Sequence, residues 1–381
     1  MSYESEGKTK SITLVLTHQC NLRCTYCYEL HKGNERMSFE MAMSIIDKEM
    51  RMDDGTDMVE IDLFGGEPLL EFETIKRLVE ETKKKDYEKA FIFFITTNGV
   101  LLTEPRKKWL RENADLLQIG LSLDGTREMH NVNRGDCFDK IDLAFFRDTY
   151  PEQSVKMTIS RETLPQLAEG IIFAHEFGFK VSANLAYGID WDDEKYRKMY
   201  SEQLTLLIDY YLAHPEVEPC ALFEINRIKS MSYQMEDNLR YCGAGIHMKA
   251  YDYDGTFYPC QHFLPLSIGK EQAQESLKID FGGGYSFDFS KQNPMCRECV
   301  IKNVCPTCYG ENFSSTGDIY KRDVKLCEMH KIQFEALAYF AMKLFLSGRL
   351  NDLPKKDSAA ILKSALMIQK GLNDSHEGRD A

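Results

Sequence analysis

Cys20, Cys24 and Cys27 stand on one short stretch, Thr17-His-Gln-Cys20-Asn-Leu-Arg-Cys24-Thr-Tyr-Cys27, at spacings of three and two residues. Three thiolates on one loop can ligate three irons of a 4Fe-4S cube and leave the fourth open, free to chelate a small molecule and pass it an electron. A zinc loop or structural cluster is the other reading. It wants a fourth nearby ligand, and neither His18 nor His31 has a zinc-motif spacing. A second group follows: Cys242-x12-Gly255-x4-Cys260, then Cys296-x2-Cys299-x5-Cys305-x2-Cys308, then Cys327. A zinc ribbon over Cys296–Cys308 is disfavoured, because its two pairs leave too short a loop for the usual knuckles. Only Cys137 and Cys220 stand apart from these groups, and both read as buried thiols.

Elements of two alternating periods position the triplet. Short β-rich runs fall at Ser11–Thr17, Met58–Phe64, Phe91–Thr97, Leu117–Leu123, Val155–Ser160 and Lys180–Ala186. Helical patterning fills intervals such as Phe39–Met52, Thr74–Lys85, Glu104–Asn113 and Leu164–Phe177. This alternation predicts an α/β fold: a partial (β/α)6 TIM-like barrel, with chemistry on the loops after the strands. A long helix is expected over Trp191–His214, and from about Tyr233 the sequence turns rich in Cys, Gly, Pro and Tyr. Such small, loop-rich sequence relies on metal more than on an apolar core. Helices are expected from Cys327 to Ser347 and over Asp357–Lys370, with a frayed tail at Asn373–Ala381. The resulting division is 1-215 for the barrel, 216-235 for a bridging segment, 236-330 for the cysteine-rich domain and 331-381 for C-terminal helices and tail.

The 381 residues carry a formal charge of −13 with 43% hydrophobic content. An acidic surface argues against nucleic acid, which needs a basic face. No run approaches the length of a membrane span, and Met1–Lys10 has no signal-peptide core, so the expectation is a cytoplasmic protein with reduced thiols.

Cys-x3-Cys-x2-Cys with an aromatic before the last cysteine resembles the radical S-adenosylmethionine (SAM) superfamily. The resemblance continues through Gly65-Gly66-Glu67-Pro68, Thr96-Thr97-Asn98-Gly99, Ser122-Leu-Asp124-Gly and His130-Asn-Val-Asn-Arg134, one motif after each successive strand. It implies that Cys20, Cys24 and Cys27 hold the cluster and that Tyr26 packs on the SAM adenine. Gly65, Gly66, Glu67 and Pro68 would take the ammonium, with Thr97 and Asn98 on the next loop. Ser122 and Arg134 would contact the ribose and carboxylate end, and Leu185 would close over the adenine. The reaction implied is reductive cleavage of SAM to a 5′-deoxyadenosyl radical that abstracts hydrogen from a substrate.

The second group resembles the SPASM appendage of radical SAM enzymes, which carries two auxiliary 4Fe-4S clusters and makes three in all. Residue by residue, Cys242, Cys260 and Cys308 would hold the first, and Cys296, Cys299, Cys305 and Cys327 the second. The family has three residues where this chain has only Pro306 and Thr307. The first set is one ligand short: Cys220 can supply it, Met248 is the nearest soft side chain between Cys242 and Cys260, or an iron stays open to substrate.

The leading expectation for function is a maturase that installs a thioether or carbon–carbon crosslink on a ribosomally made precursor peptide. Its partners would be that peptide or protein substrate and an electron donor such as flavodoxin or ferredoxin. The first strand begins near Ser11, so leader recognition is expected from a separate leader-binding protein, the barrel mouth or the C-terminal helices. An anaerobic sulfatase-maturating enzyme is the alternative. That family places an Asp directly after the cysteine matching Cys260, where this chain has Gln261, with Asp252 and Asp254 displaced. A non-catalytic iron–sulfur scaffold would not need Glu67, Ser122 and Arg134. No catalytic acid or base is assigned; Tyr187, Asn184 and Glu224 are possible cavity residues.

Overall fold

The computed structural model describes residues 8–232, 242–281 and 291–377. Two compact units form among the described residues. One comprises those up to Leu123, His130–Lys156, and Gly243 to Phe281; the other comprises Asp124–Met129, Met157 to Cys242, and Lys291 onward.

The strands are β1 (Thr9–Thr17), β2 (Met58–Gly65), β3 (Ala90–Thr97), β4 (Leu117–Leu121), β5 (Val155–Ile159), β6 (Val181–Leu185), β7 (Met248–Tyr251) and β8 (Phe257–Tyr258). The first six fall on the six expected runs. One sheet has the order β4-β3-β2-β1-β7-β8, and β5 pairs with β6 in a second. β1 runs parallel to both β2 and β7, with Thr13 opposite Asp62 and Ser11 opposite Met248. A parallel bridge, Ser122 to Lys156, leads from the end of β4 to β5. Patterning did not reveal β7 and β8, since four- and two-residue runs are too short to show a period. Their place has a clear cause: β7 covers the edge that β1 would otherwise leave unpaired; Ile12, Leu14, Val15 and Leu16 of that central strand are fully buried.

Helices α1 (Phe39–Arg51), α2 (Phe72–Lys83), α3 (Glu104–Glu112), α4 (Arg127–Arg134), α5 (Leu143–Thr149), α6 (Leu167–Glu176) and α7 (Glu194–Ala213) follow. Ser38 caps α1 by accepting from the Met41 amide at 3.1 Å, and its apolar stripe Ala42, Ile45 and Ile46 is buried. β2 shows how the sheet divides its faces. Val59, Ile61 and Leu63 are fully buried, whereas Glu60, Asp62 and Phe64 on the opposite face still reach solvent. Two carboxylates thus share the partly open face of this strand.

Later helices span Tyr309–Thr316, Cys327–Leu346 and Lys355–Glu377. The last extends into the stretch expected to fray from Asn373; residues 378–381 and the expected boundary at 235/236 lie outside the described residues.

Candidate active site

The cysteine loop leaves β1 and is held by the loop that leaves β2. Gly66 N donates to Thr17 O at 3.0 Å and Glu67 N to Gln19 O at 2.8 Å. A Cβ on Gly65 would stand 2.3 Å from Thr17 O, and one on Gly66 would stand 2.4 Å from Gln19 O. Both clashes are with backbone, which cannot swing away. The absence of side chains here lets the loop after β2 approach the chain's own cysteine loop.

Glu67 fastens the next strand. Its Oε1 accepts from Thr97 Oγ1 at 2.7 Å and from Leu69 N at 3.1 Å, while Oε2 accepts from Asn98 N at 2.9 Å. Pro68 opens the 3-10 turn that Glu67 caps. Asn98 Nδ2 reaches back to Asn21 Oδ1 at 2.8 Å, and Ser122 N donates to Thr97 O at 2.8 Å. The circuit closes through α4: Thr25 N donates to Asn133 O at 2.9 Å, and the Arg134 guanidinium lies 5.4 Å from the centre of the Tyr26 ring. Tyr26, Gly65, Gly66, Glu67, Thr97, Asn98, Ser122 and Arg134 are thus brought together around Cys20, Cys24 and Cys27 by a connected set of bonds. Burial pushes the Glu67 carboxyl up, opposed by its three donors and by Arg134.

Titratable groups that spacing did not single out surround this loop. Lys32 Nζ donates to Cys27 Sγ at 3.1 Å, and burial pushes the Cys20 thiol up to about 11. Burial likewise raises Glu29 to about 8. Tyr28 stacks on His262 with ring centres 4.4 Å apart, and burial lowers His262 to about 4. On the partly open face of β2, burial raises Asp62 to about 7, with Glu60 adding to the shift and Thr13 and Lys156 opposing it. Strand alternation gave the only sequence signal for Asp62, a carboxylate inside an apolar run. Asp252 has a structural role, its Oδ1 2.6 Å from His18 Nε2, and Asp254 accepts from Thr256 N at 2.9 Å within its turn. Cys137, as read, is a buried thiol, 3.3 Å from His130 Nε2.

In the second unit Cys296, Cys299, Cys305 and Cys327 line one small cavity of about 30 Å³ together with Arg322. The Arg322 guanidinium donates to Cys305 Sγ. Burial first, then the charge of the neighbouring thiols, pushes Cys327 up to about 12. Burial and Cys242 do the same to Cys308, whose Sγ accepts from Glu311 N at the start of helix Tyr309–Thr316. Cys260 stands in the first unit just after β8. Cys220 is buried beside α7, its amide donating to Tyr211 Oη at 3.0 Å. Leu185 is buried on the face of β6 that it shares with Val181 and Ala183, while Asn184 lies exposed on the other.

These donors fit the groups that the sequence resemblance implies. Three thiols on one loop suit three irons of a cluster and leave the fourth open, whereas zinc would want a fourth nearby ligand. A carboxylate, two small backbone-exposing residues and an arginine beside an aromatic ring suit the charged and aromatic parts of SAM. The chain belongs to the radical SAM superfamily, whose family profile matches residues 14–202. Membership brings SAM and a 4Fe-4S cluster, and with them an enzyme of radical chemistry. Fe-coproporphyrin III synthase of Methanosarcina barkeri is 32% identical over 343 residues, covering 79% of this chain and 83% of that protein. A cysteine-type anaerobic sulfatase-maturating enzyme of Clostridium perfringens is 36% identical over 139 residues, but only 33% of this chain and 36% of the enzyme are matched. The solved structure of native anSMEcpe with bound AdoMet and Cp18Cys peptide shares the fold, with a TM-score of 0.68 at 19% identity, covering 90% of this chain and 99% of that one. Among the described residues no helix is long and apolar enough to cross a membrane.

Proposed function

We propose that this protein is a radical SAM maturase of SPASM type that acts on a ribosomally made peptide and joins two of its side chains through a thioether or carbon–carbon bond. The observation that carries the reading is the bonded circuit of four post-strand loops around the cysteine triplet. Bound there, the cluster and SAM supply a hydrogen-abstracting 5′-deoxyadenosyl radical. Cys20, Cys24 and Cys27 would hold the cluster. Gly65, Gly66 and Glu67 would accept the SAM ammonium, with Pro68 fixing the turn and Thr97 and Asn98 fixing the carboxylate. Tyr26 would face the adenine, Ser122 and Arg134 the polar end, and Leu185 would contribute from the end of β6. Cys296, Cys299, Cys305 and Cys327 would hold one auxiliary cluster. Cys242, Cys260 and Cys308 would hold another, giving three clusters, with an electron donor of the flavodoxin or ferredoxin kind. The domain division at 215, 235 and 330 is part of the same reading.

The peptide in the anSMEcpe neighbour supports a polypeptide substrate. Gln261 weighs against formylglycine formation, since an amide takes no proton near neutrality, and the nearby Asp252 is engaged by His18. One observation favours a second reading: the long similarity to Fe-coproporphyrin III synthase supports a tetrapyrrole substrate. Anaerobic incubation of the reduced, reconstituted protein with SAM and either a precursor peptide from a neighbouring reading frame or Fe-coproporphyrin separates the two. The maturase reading expects the peptide to lose two hydrogens per crosslink. An unaltered peptide beside a modified tetrapyrrole would overturn it.

A further inference from the structure

Helices Cys327–Leu346 and Lys355–Glu377 pack against each other, and Leu337, Ala341, Ile361, Ala365 and Ile368 on them are buried. Beyond that seam lies a groove of about 770 Å³ whose floor includes Phe345, Leu353, Leu362, Leu366 and Met367. Of these, Leu366 is 53% and Met367 43% exposed. Apolar side chains gathered in a groove on packed helices are what a docking surface presents. Its rim tells which kind: Lys355, Lys363 and Lys370 line the same groove. None of the three is in an ion pair among the described residues. They recur every seven or eight residues, hence on one side of the helix, and span roughly 22 Å at the helical rise. A row of unpaired cations over an apolar floor stands out in a chain of net charge −13.

We propose that this groove docks an acidic amphipathic helix of about four turns, belonging to the peptide substrate. Apolar anchors at i, i+3 or i+4 and i+7 would fill the floor, and Asp or Glu side chains would meet the lysine row. The occupant's identity as substrate rests on the maturase reading above; the groove's preference for acidic helices does not.

The test uses the full chain, anaerobically reconstituted, and two labelled synthetic helical peptides that share a Leu stripe, one with Glu and one with Lys on the polar face. Fluorescence anisotropy is expected to show the Glu peptide binding at least about ten-fold more tightly. The triple variant Lys355→Glu, Lys363→Glu, Lys370→Glu should reverse that preference while SAM cleavage without substrate stays unchanged. Leu366→Asp should weaken both peptides. Equal binding of the two peptides, or a triple variant that binds as the native chain does, overturns the proposal. So does a dimer in sedimentation that Leu366→Asp disperses, which would give the groove to a second copy. Binding to phosphatidylserine vesicles that the triple variant loses would give it to a membrane and equally overturn it. Should the Glu peptide bind as expected while no precursor peptide is ever modified, the maturase reading fails and the groove stands.

Discussion

The chain carries its thiols in two contrasting settings. Cys20, Cys24 and Cys27 are each partly open to solvent on a loop stitched to three neighbouring loops, with carboxylates and a lysine close by. Cys296, Cys299, Cys305 and Cys327 line a cavity of about 30 Å³ with one arginine against them. The first arrangement offers three ligands and access; the second offers four ligands and enclosure. Access is what a cluster needs when it must touch a small molecule, and enclosure is what one needs when it only relays electrons or holds a fold together. The difference also predicts which part of the molecule each cysteine supports.

The largest effects should separate the two groups. Cys24→Ala is expected to bring 5′-deoxyadenosine formation down to background, a loss on the order of a thousand-fold or more. The cluster-free protein should nevertheless melt within about 2 °C of the unaltered chain, because Cys24 is part-exposed. Cys305→Ala should do the reverse. It removes a buried thiol and strips Arg322 of the partner it bonds, costing about 3 kcal/mol or more in unfolding, while SAM cleavage without substrate survives. Chromatographic product analysis beside calorimetry checks both. A Cys305→Ala protein of unchanged stability would abolish the contrast.

Gly65→Ala comes next and tests the brace around the first group. Its Cβ would press on Thr17 O at 2.3 Å, and backbone on both sides leaves no soft partner to yield. We expect a loss of roughly 2–4 kcal/mol in denaturant unfolding, together with weaker SAM binding. The second group should be untouched, so on the proposed reading iron retained at Cys296–Cys327 would serve as the internal control.

Sequence and structure agree most where the period is long. The six runs from Ser11 to Ala186 and the helices between them are periodic enough to be read directly, and Cys spacing marks both thiol groups. The bonded circuit was legible as motifs but not as bonds: no spacing reveals that Glu67 is shared by Thr97, Asn98 and Leu69. Strand β7 escaped because its four residues carry no period of their own and owe their conformation to β1. Arg322 escaped because an arginine beside cysteines looks like any surface cation until the fold places it on Cys305. The motif assigns Gly65 and Gly66 to the SAM ammonium, but no spacing shows that the nearest obstruction to a side chain there is the chain's own backbone. Local sequence shows what a residue is able to do; only long-range packing assigns its partner.

The smallest expected effect concerns the open side of the comparison. Asp62 projects from β2 into the face that carries Glu60, and burial, with Glu60 adding to it, raises its carboxyl to about 7 against Thr13 and Lys156. In the unfolded chain the same carboxyl titrates near the ordinary value of 3.8. Between that value and about 7 the folded state holds a proton that the unfolded state has released, so this residue's contribution to stability falls as pH rises through the window. Above about 7 the full penalty of a charged, desolvated group applies; below about 4 it vanishes. Asp62→Asn removes the charge and should therefore stabilise the protein at pH 8 by on the order of 1 kcal/mol, discounted because solvent reaches the side chain. It should leave stability at pH 4 unchanged. Urea unfolding at the two pH values measures the difference. A stabilisation equal at both would mean the gain comes from packing and not from charge, and Asp62 would then be no part of the polar face beneath the triplet. A loss at pH 8 would mean that Lys156 pairs with an ionised Asp62 strongly enough to outweigh desolvation, and the first region would then rest on an ion pair much as the second rests on Arg322.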